Sequence, residues 1–417
     1  GSATLTKSGT GSLFINTAND FTGVTTVNDG ALNLQAAGAV ASPVTLNSGA
    51  INVNVAAALA GQSTINGGTL TINVANGATG KTNTVNSGGN LVLNAGGGSG
   101  SAQGTINVNA GGTNTLLAVN AYGYSGTPWV RTLNVNGGLV DHWANGDAGW
   151  GLTVNMTGGE LRANGGVASS GTAPHYSLGG NSYLNVAANS TPAVLSGQVN
   201  LRDGNTALIS PSMLPITVAD GAADPDLLIS ASLVGSYGFL KSGPGSLLLT
   251  GPNTYSGVTT ISNGVVRVGN GGTSGVLGTG VITNYSTLIF NRSDALTVGS
   301  AIYGSGTVQN VGPGALLLNG TNTYTGATTI SAGTLQGTGI INSPVTVQSG
   351  ANLSAGAVLG TGTLTLSNVT VNAGAGLVFD LSSTAATSDL LAVRGALSLD
   401  AATPVTFNFL GGTPYLG

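Results

Sequence analysis

Three stretches of this chain are copies of one another, and that repetition limits the fold more than any other feature. The first runs Lys7-Ser8-Gly9-Thr10-Gly11-Ser12-Leu13-Phe14-Ile15, then Asn19-Asp20-Phe21-Thr22-Gly23-Val24-Thr25-Thr26-Val27, then Gly30-Ala31-Leu32. The second is Lys241-Ser242-Gly243-Pro244-Gly245-Ser246-Leu247-Leu248-Leu249, Asn253-Thr254-Tyr255-Ser256-Gly257-Val258-Thr259-Thr260-Ile261 and Gly264-Val265-Val266. The third passes from Gly312-Pro313-Gly314-Ala315-Leu316-Leu317-Leu318 through Asn322-Thr323-Tyr324-Thr325-Gly326-Ala327-Thr328-Thr329-Ile330 to Gly333-Thr334-Leu335. The offset from Gly243 to Gly312 reads as three turns of about 23 residues in a solenoid.

A weaker ladder of the same kind lies between the first two copies. Gly-Gly pairs begin at Gly67, Gly88, Gly111, Gly137 and Gly158, a nearly even spacing that matches one pair per turn. Runs such as Thr69-Leu70-Thr71-Ile72-Asn73-Val74 alternate apolar and polar residues, the mark of a strand with one face inside and one face wet. Glycine pairs and sites such as Asn263-Gly264 supply the positive φ that a tight corner needs. The predicted fold is all-β: a right-handed parallel β-helix of about 18 coils of 21–26 residues, with the hand taken from the usual crossover rule. At ~4.8 Å per coil, such a stack would be a rod on the order of 90 Å long. One continuous domain over 1–417 is expected, with repeats at 7–34, 241–268 and 310–337 and an irregular aromatic-rich segment at 122–183. Leu13 and Ile15, Leu247 and Leu249, and Leu316 and Leu318 should point inward, and Lys241 should be solvent-accessible at its strand edge.

Composition removes several functional classes. Lys+Arg total 9 and Asp+Glu 13 over 417 residues, far below an ordinary soluble enzyme, yet 41% hydrophobic residues and a mean hydropathy of +0.30 give the chain enough to bury. A formal net charge of -4 with no basic stripe opposes nucleic-acid binding. No apolar run is long enough for a transmembrane helix. With no cysteine and two histidines, His142 and His175, thiolate sites are excluded and no metal or cofactor is expected. Asp220, Asp224 and Asp226 read as a solvated turn rather than a calcium loop, because the nonapeptide calcium repeat is missing and Pro225 separates two of them. Gly96-Gly97-Gly98-Ser99-Gly100 lacks the Lys-Ser/Thr of a phosphate loop. Few aromatics argue against a propeller or a membrane barrel.

The three copies resemble the passenger-associated transport repeat of autotransporter-type surface proteins: a Gly-x-Leu-x-Leu strand, Asn-Thr-Tyr-x-Gly-x-Thr, then an apolar residue, a short polar stretch, Gly and a second apolar residue. Asp20-Phe21 replaces Thr-Tyr in the first copy. The segments 182–240 and 389–397 resemble sequence that accompanies such repeats. The resemblance implies a right-handed β-helix passenger secreted across the outer membrane, extracellular or on the cell surface, with a structural or adhesive role and no catalytic residues. The expected function is therefore a non-catalytic stalk, adhesive scaffold or fibre subunit. The alternative is a β-helix that binds or degrades polysaccharide.

Any ligand chemistry belongs to residues 122–183. That segment holds all three tryptophans, both histidines, four tyrosines and Glu160, the only glutamate in the chain. Aromatic faces stack on sugar rings, so Trp129, Trp143, Trp150 and Tyr176 are the candidate glycan contacts, and Asp141, Asp147 and Glu160 are the carboxylates from which an acid and base pair could be drawn. The bland alternative is that these aromatics pack longer loops against the wall of the solenoid. Neither end shows a polar cap: residues 1–15 enter directly into repeat pattern, and Pro404-Val405-Thr406-Phe407-Asn408-Phe409-Leu410 is apolar. The expected partners are accordingly a copy of the same chain stacked end to end, or flanking segments of a longer one, together with a surface glycan.

Overall fold

The computed structural model describes residues 1–74, 81–96, 103–124, 127–128, 130–149, 151–164, 173–179, 181–202, 213–357, 360–382 and 388–410. They form a parallel β-solenoid in two compact units, Gly1–Tyr237 and Gly238–Gly417.

In the first unit the chain alternates between two long ladders. One stacks Leu5–Lys7, Thr25–Val27, Val44–Leu46 and Ser63–Ile65, and continues to Met213–Val218. The other stacks ten strands from Ser12–Ile15 and Ala31–Leu34 to Ala193–Ser196 and Leu227–Ile229. A three-strand ladder of Tyr176–Ser177, Gln198–Asn200 and Ser232–Val234 adds a further face. Within these ladders each strand pairs in parallel with the equivalent strand of the neighbouring coil, whereas Gly123–Tyr124 and Thr127–Pro128 pair antiparallel within one coil. Because alternate side chains share a face, a leucine therefore stacks on a leucine: Leu32, Ile51, Leu70 and Leu91 are consecutive partners, and none is more than 1% exposed. Phe14, on the opposite parity, is exposed. Equivalent positions on successive coils step evenly from Leu13 to Leu32 to Ile51, then more widely from Thr113 to Leu139, and most widely from Glu160 to Val194 and from Val194 to Leu228. The ladders hold register while the corners absorb the surplus, so the coils vary more in length than the glycine spacing of the sequence suggests.

Polar outward positions stack as well. Asn47 donates to Asn28, Asn66 to Asn47, Asn86 to Asn66, Asn109 to Asn86 and Asn136 to Asn109, at 2.7–3.1 Å from Nδ2 to Oδ1. A second column links Asn107, Asn134, Asn155 and Asn185. An amide carries both a donor and an acceptor, so an asparagine column satisfies itself along the stack with no charge at all.

The second unit continues this construction. One ladder holds eight strands from Ser246–Leu249 to Leu397–Leu399, so the rungs of the two units together are close in number to the coils expected. Leu249 and Leu318 are fully buried, as the alternation predicts. The third repeat sits on different faces from the second. Ser246–Leu249 shares a ladder with Thr328–Ile330, while Ala315–Leu318, its sequence counterpart, joins the ladder of Leu296–Val298 and Thr334–Gln336. The step from the second repeat to the third is thus three coils plus one face, because the intervening coils are shorter than an even division of that step into three would make them.

Lys241 corrects the sequence expectation: it is completely buried. It shares the inward face of Gly238–Ser242 with Phe239, and its Nζ donates to the carbonyls of Ser242 (3.0 Å), Gly243 (2.8 Å) and Asn263 (3.1 Å). Lys7 binds Ser8, Gly9 and Asp29 in the same way. In the third copy Asn310 takes the place, reaching Gly312, Gly314 and Ala332. The cause is the corner itself: it turns carbonyls inward, where an unpaired acceptor costs about 1–3 kcal/mol, and an ammonium brings three donors at once. Gly264, at φ 75°, lies over this cage; a Cβ there would sit 2.8 Å from Lys241 Nζ and 2.4 Å from the Gly245 carbonyl. The repeat tyrosines are a second internal fastening. Tyr255 is fully buried with its hydroxyl 2.6 Å from Thr259 Oγ1, and burial pushes its pKa up to about 12. Tyr324 does the same with Thr328. Phe21 has no hydroxyl to offer, so Thr25 keeps only the contact with Ser42, at 3.3 Å, that Thr328 makes with Ser343 in the third copy.

Replacing Lys241 by Met should strip the cage of its donors and lower the stability of the second unit by on the order of 3 kcal/mol. Lys241→Asn, which copies the third repeat, should recover a large part of that loss. Urea unfolding followed by circular dichroism checks both, and equal midpoints for Lys241→Met and the parent chain would refute the role of the cage.

Candidate functional site

The polar residues of the aromatic segment fall on two sides of one wall. Leu139–His142 and Glu160–Ala163 are adjacent rungs, with Leu139 opposite Glu160 and Asp141 opposite Arg162. Alternation turns Val140, His142 and Leu161 into the core, and Leu139, Asp141, Glu160 and Arg162 outward. This register decides which charges meet.

On the outer side Arg162 grips Asp141 with two bonds, Nε to Oδ1 at 2.9 Å and Nη2 to Oδ2 at 2.8 Å. Trp143 adds a third, its indole Nε1 donating to Asp141 Oδ2 at 2.8 Å. Asp141 is therefore only 5% exposed although it points outward, while Trp143 remains 51% exposed. The hydrogen bonds that it donates to Asp141 hold the Arg162 guanidinium above its ordinary pKa. Glu160 accepts from Ser196 Oγ at 2.5 Å on the next rung. Alongside runs a groove of about 420 Å³ floored by Gly112, Gly138 and Gly159 and walled by Leu139, Glu160 and Val194.

On the inner side lies a buried polar cluster. His142 is fully buried, its Nε2 3.0 Å from the Gly146 carbonyl and its ring 5.7 Å from that of Tyr176. Tyr176 is 1% exposed and donates to the Arg162 carbonyl at 3.2 Å. Its ring is thus part of the wall rather than a surface for a sugar. Asp147 accepts from the backbone N–H of Gly149 and of Ser177, both at 3.1 Å, and Arg202 Nη2 stands 3.7 Å from its other oxygen. His175 Nδ1 is 2.9 Å from the Ala173 carbonyl. Burial drives the His142 pKa down and those of Asp147, Tyr122 and Tyr176 up.

Of the four candidate glycan contacts, Trp143 stands on the surface and Tyr176 is buried, while Trp129 and Trp150 lie outside the described residues. Asp141 and Glu160 are on neighbouring rungs of the outer face, and Asp147 belongs to the inner cluster. The sequence reading missed Ser196 and Arg202, both beyond residue 183. They reach Glu160 and Asp147 only through inter-coil register, and no local pattern marks them. In the acidic turn, Asp226 Oδ1 accepts from Gly221 N at 2.7 Å and so closes the loop. Among the described residues no group of three or more His, Cys, Asp or Glu is placed to hold a metal ion.

Burial of His142 should make the first unit more sensitive to acid. Asp147, His175 and Tyr176 are the titratable groups around His142. With its folded pKa depressed below 6.5, neutral His142 contributes stability that is complete above about pH 6.5 and lost as the pH falls through the folded value. Asp147, with a raised pKa, acts in the opposite sense in both the parent chain and a His142→Phe variant. The unfolding midpoint should therefore fall between about pH 7 and pH 5 more steeply in the parent than in His142→Phe. Identical slopes in thermal melts would contradict this.

Two comparisons with known proteins bear on the repeats. The passenger-associated-transport-repeat family matches residues 5–34, 239–268 and 311–336. An adhesin autotransporter, BmaC, of Brucella suis biovar 1 (strain 1330) is 37% identical over 116 residues, covering 27% of this chain and 3% of that protein. The chain thus corresponds to a small part of a far longer relative. Its repeats and parallel solenoid are of the autotransporter passenger type.

Proposed function

We propose that this chain is part of a passenger carried across the outer membrane, where it serves as a non-catalytic stalk or adhesive scaffold at the cell surface. The observation that carries this reading is that all three transport repeats are built into one stacking scheme, with matching cages under Lys7, Lys241 and Asn310. The similarity to an adhesin autotransporter supports the surface location. The carboxylates favour structure over catalysis: both oxygens of Asp141 are occupied by Arg162 and Trp143, and Asp147 is buried among backbone donors, which leaves neither placed as a general acid beside Glu160. Antibody to the purified chain should label intact, unpermeabilised producing cells, and the chain should release no reducing ends from polysaccharides. Labelling only after permeabilisation would overturn the surface assignment, and cleavage abolished by Asp141→Ala with Glu160→Ala would overturn the non-catalytic one.

A further coil of a longer passenger is the proposed partner of the coil that holds Leu390–Val393, Leu397–Leu399 and Val405–Leu410. Leu390, Leu397, Leu399, Val405, Phe407 and Phe409 are each 44–54% exposed there, and Phe379 and Phe407 stack with ring centroids 6.0 Å apart. Six large apolar side chains on one coil form the kind of surface that another coil covers. The similar adhesin autotransporter, of which this chain spans 3%, is a far longer protein. Hydrogen exchange of those Val405–Leu410 amides that face away from Gly376–Ser382 should be fast in the isolated chain and independent of protein concentration. Protection that rises with concentration would show that copies stack end to end instead.

A further inference from the structure

We propose that the outer face of Leu139–His142 and Glu160–Ala163 is a saccharide-binding site: the Trp143 indole stacks on a sugar ring, and Glu160 and Arg162 bond to its hydroxyls. The adhesive reading above gives this site its use, but the chemistry stands on the face itself.

The face gathers three charged residues, Asp141, Glu160 and Arg162, in a chain where only 5% of residues are charged. A stacked solenoid has no need of them there, since asparagine columns already satisfy other outward positions without charge. Trp143 is held out in solvent rather than folded away. Its Nε1 is anchored on Asp141, which the two bonds from Arg162 fix in turn, so an exposed aromatic plane is rigid before any ligand arrives. A ring locked in this way loses little rotamer freedom on binding, which is what a stacking platform requires. Glu160 is oriented similarly: Ser196 occupies Oε1, and among the described residues Oε2 has no partner. Arg162 spends two nitrogens on Asp141, yet its side chain stays 36% accessible. Acceptor, donor and aromatic plane therefore converge on one surface.

Geometry favours a chain of sugars over one ring. Glu160 and Arg162 are two positions apart on a strand, about 7 Å, and Trp143 lies two positions beyond Asp141, so Glu160 and Trp143 stand on the order of 13 Å apart. The glycine-floored groove beside Glu160, about 420 Å³, is of a size usual for small-ligand sites, ~300–1,000 Å³. The glycines themselves have a structural cause, since a Cβ at Gly138 or Gly159 would come within 2.6 Å of the neighbouring coil's backbone. Their lack of side chains nevertheless leaves a trough that ends at the polar patch. Two carboxylates beside a single arginine repel phosphate, and these strands are paired on both sides, so neither a nucleic acid nor an added peptide strand suits the face.

Isothermal titration of the purified chain with cellohexaose, maltohexaose, chitohexaose and poly-N-acetyllactosamine tests the proposal. At least one probe should bind, Trp143→Ala should weaken it about tenfold or more, and Glu160→Gln should weaken it by a smaller factor. Tyr285→Ala, a control on an exposed aromatic of the second unit, should leave binding unchanged, and Trp143→Ala should still unfold cooperatively, with a melting point lowered only by the loss of the hydrogen bond to Asp141. Failure of all four probes at millimolar concentration, or equal affinity in Trp143→Ala, overturns the site. Absence of antibody label on intact cells would overturn the surface reading alone and leave the titration result standing.

Discussion

In this solenoid a strand inside a ladder is at once the partner of the coil before it and the template for the coil after it. Backbone hydrogen bonds run between equivalent positions of successive coils, so whatever occupies a position meets its own counterpart. A buried leucine stacks on Leu32, Ile51 or Leu70, and a surface asparagine bonds to the asparagine one rung away. Like charges would meet like charges under the same rule. The scarcity of acids and bases follows from that constraint, because a column of self-complementary amides is favourable where a column of carboxylates is repulsive.

Corners are the expensive part of such a fold, since the backbone turns there and leaves carbonyls facing inward without strand partners. The transport repeats carry the remedy in their own sequence. Lys7 and Lys241 fill the cage with an ammonium, Asn310 fills it with an amide, and the glycine of the next coil closes over it because only a residue without Cβ fits. The charge in the Lys-Ser-Gly motif is therefore an internal hydrogen-bond donor rather than a solvated tip. Such a repeat can occupy different faces of the stack, as the second and third copies do, because the cage is local to its corner and the ladders accept either position.

Where coils lengthen, the surplus leaves the ladders and local chemistry appears. Between Thr113 and Val194 the spacing of equivalent positions widens beyond that of the early coils, and the same region holds the bidentate Asp141–Arg162 pair, the anchored Trp143 and the buried His142 and Asp147 cluster. The two sets are separated by one strand thickness. Strand parity alone sends Asp141 out and His142 in.

By itself the sequence determined the architecture. Period-two alternation, glycine corners and the repeat copies required stacked parallel strands and named Leu249 and Leu318 as core, because those signals are local and recur in every coil. It also identified 122–183 as the segment where polar and aromatic chemistry gathers. Only the tertiary structure decided which of those residues act together. Lys241 read as an exposed charge until the inward carbonyls of Ser242, Gly243 and Asn263 supplied its partners. Tyr176 read as a surface aromatic until the coil enclosed it beside His142. Ser196 and Arg202 carried no signal, since they find Glu160 and Asp147 through a register that the intervening coils set. Alternation along one strand is written in that strand, whereas the partner across a rung depends on how much chain every corner between them consumes.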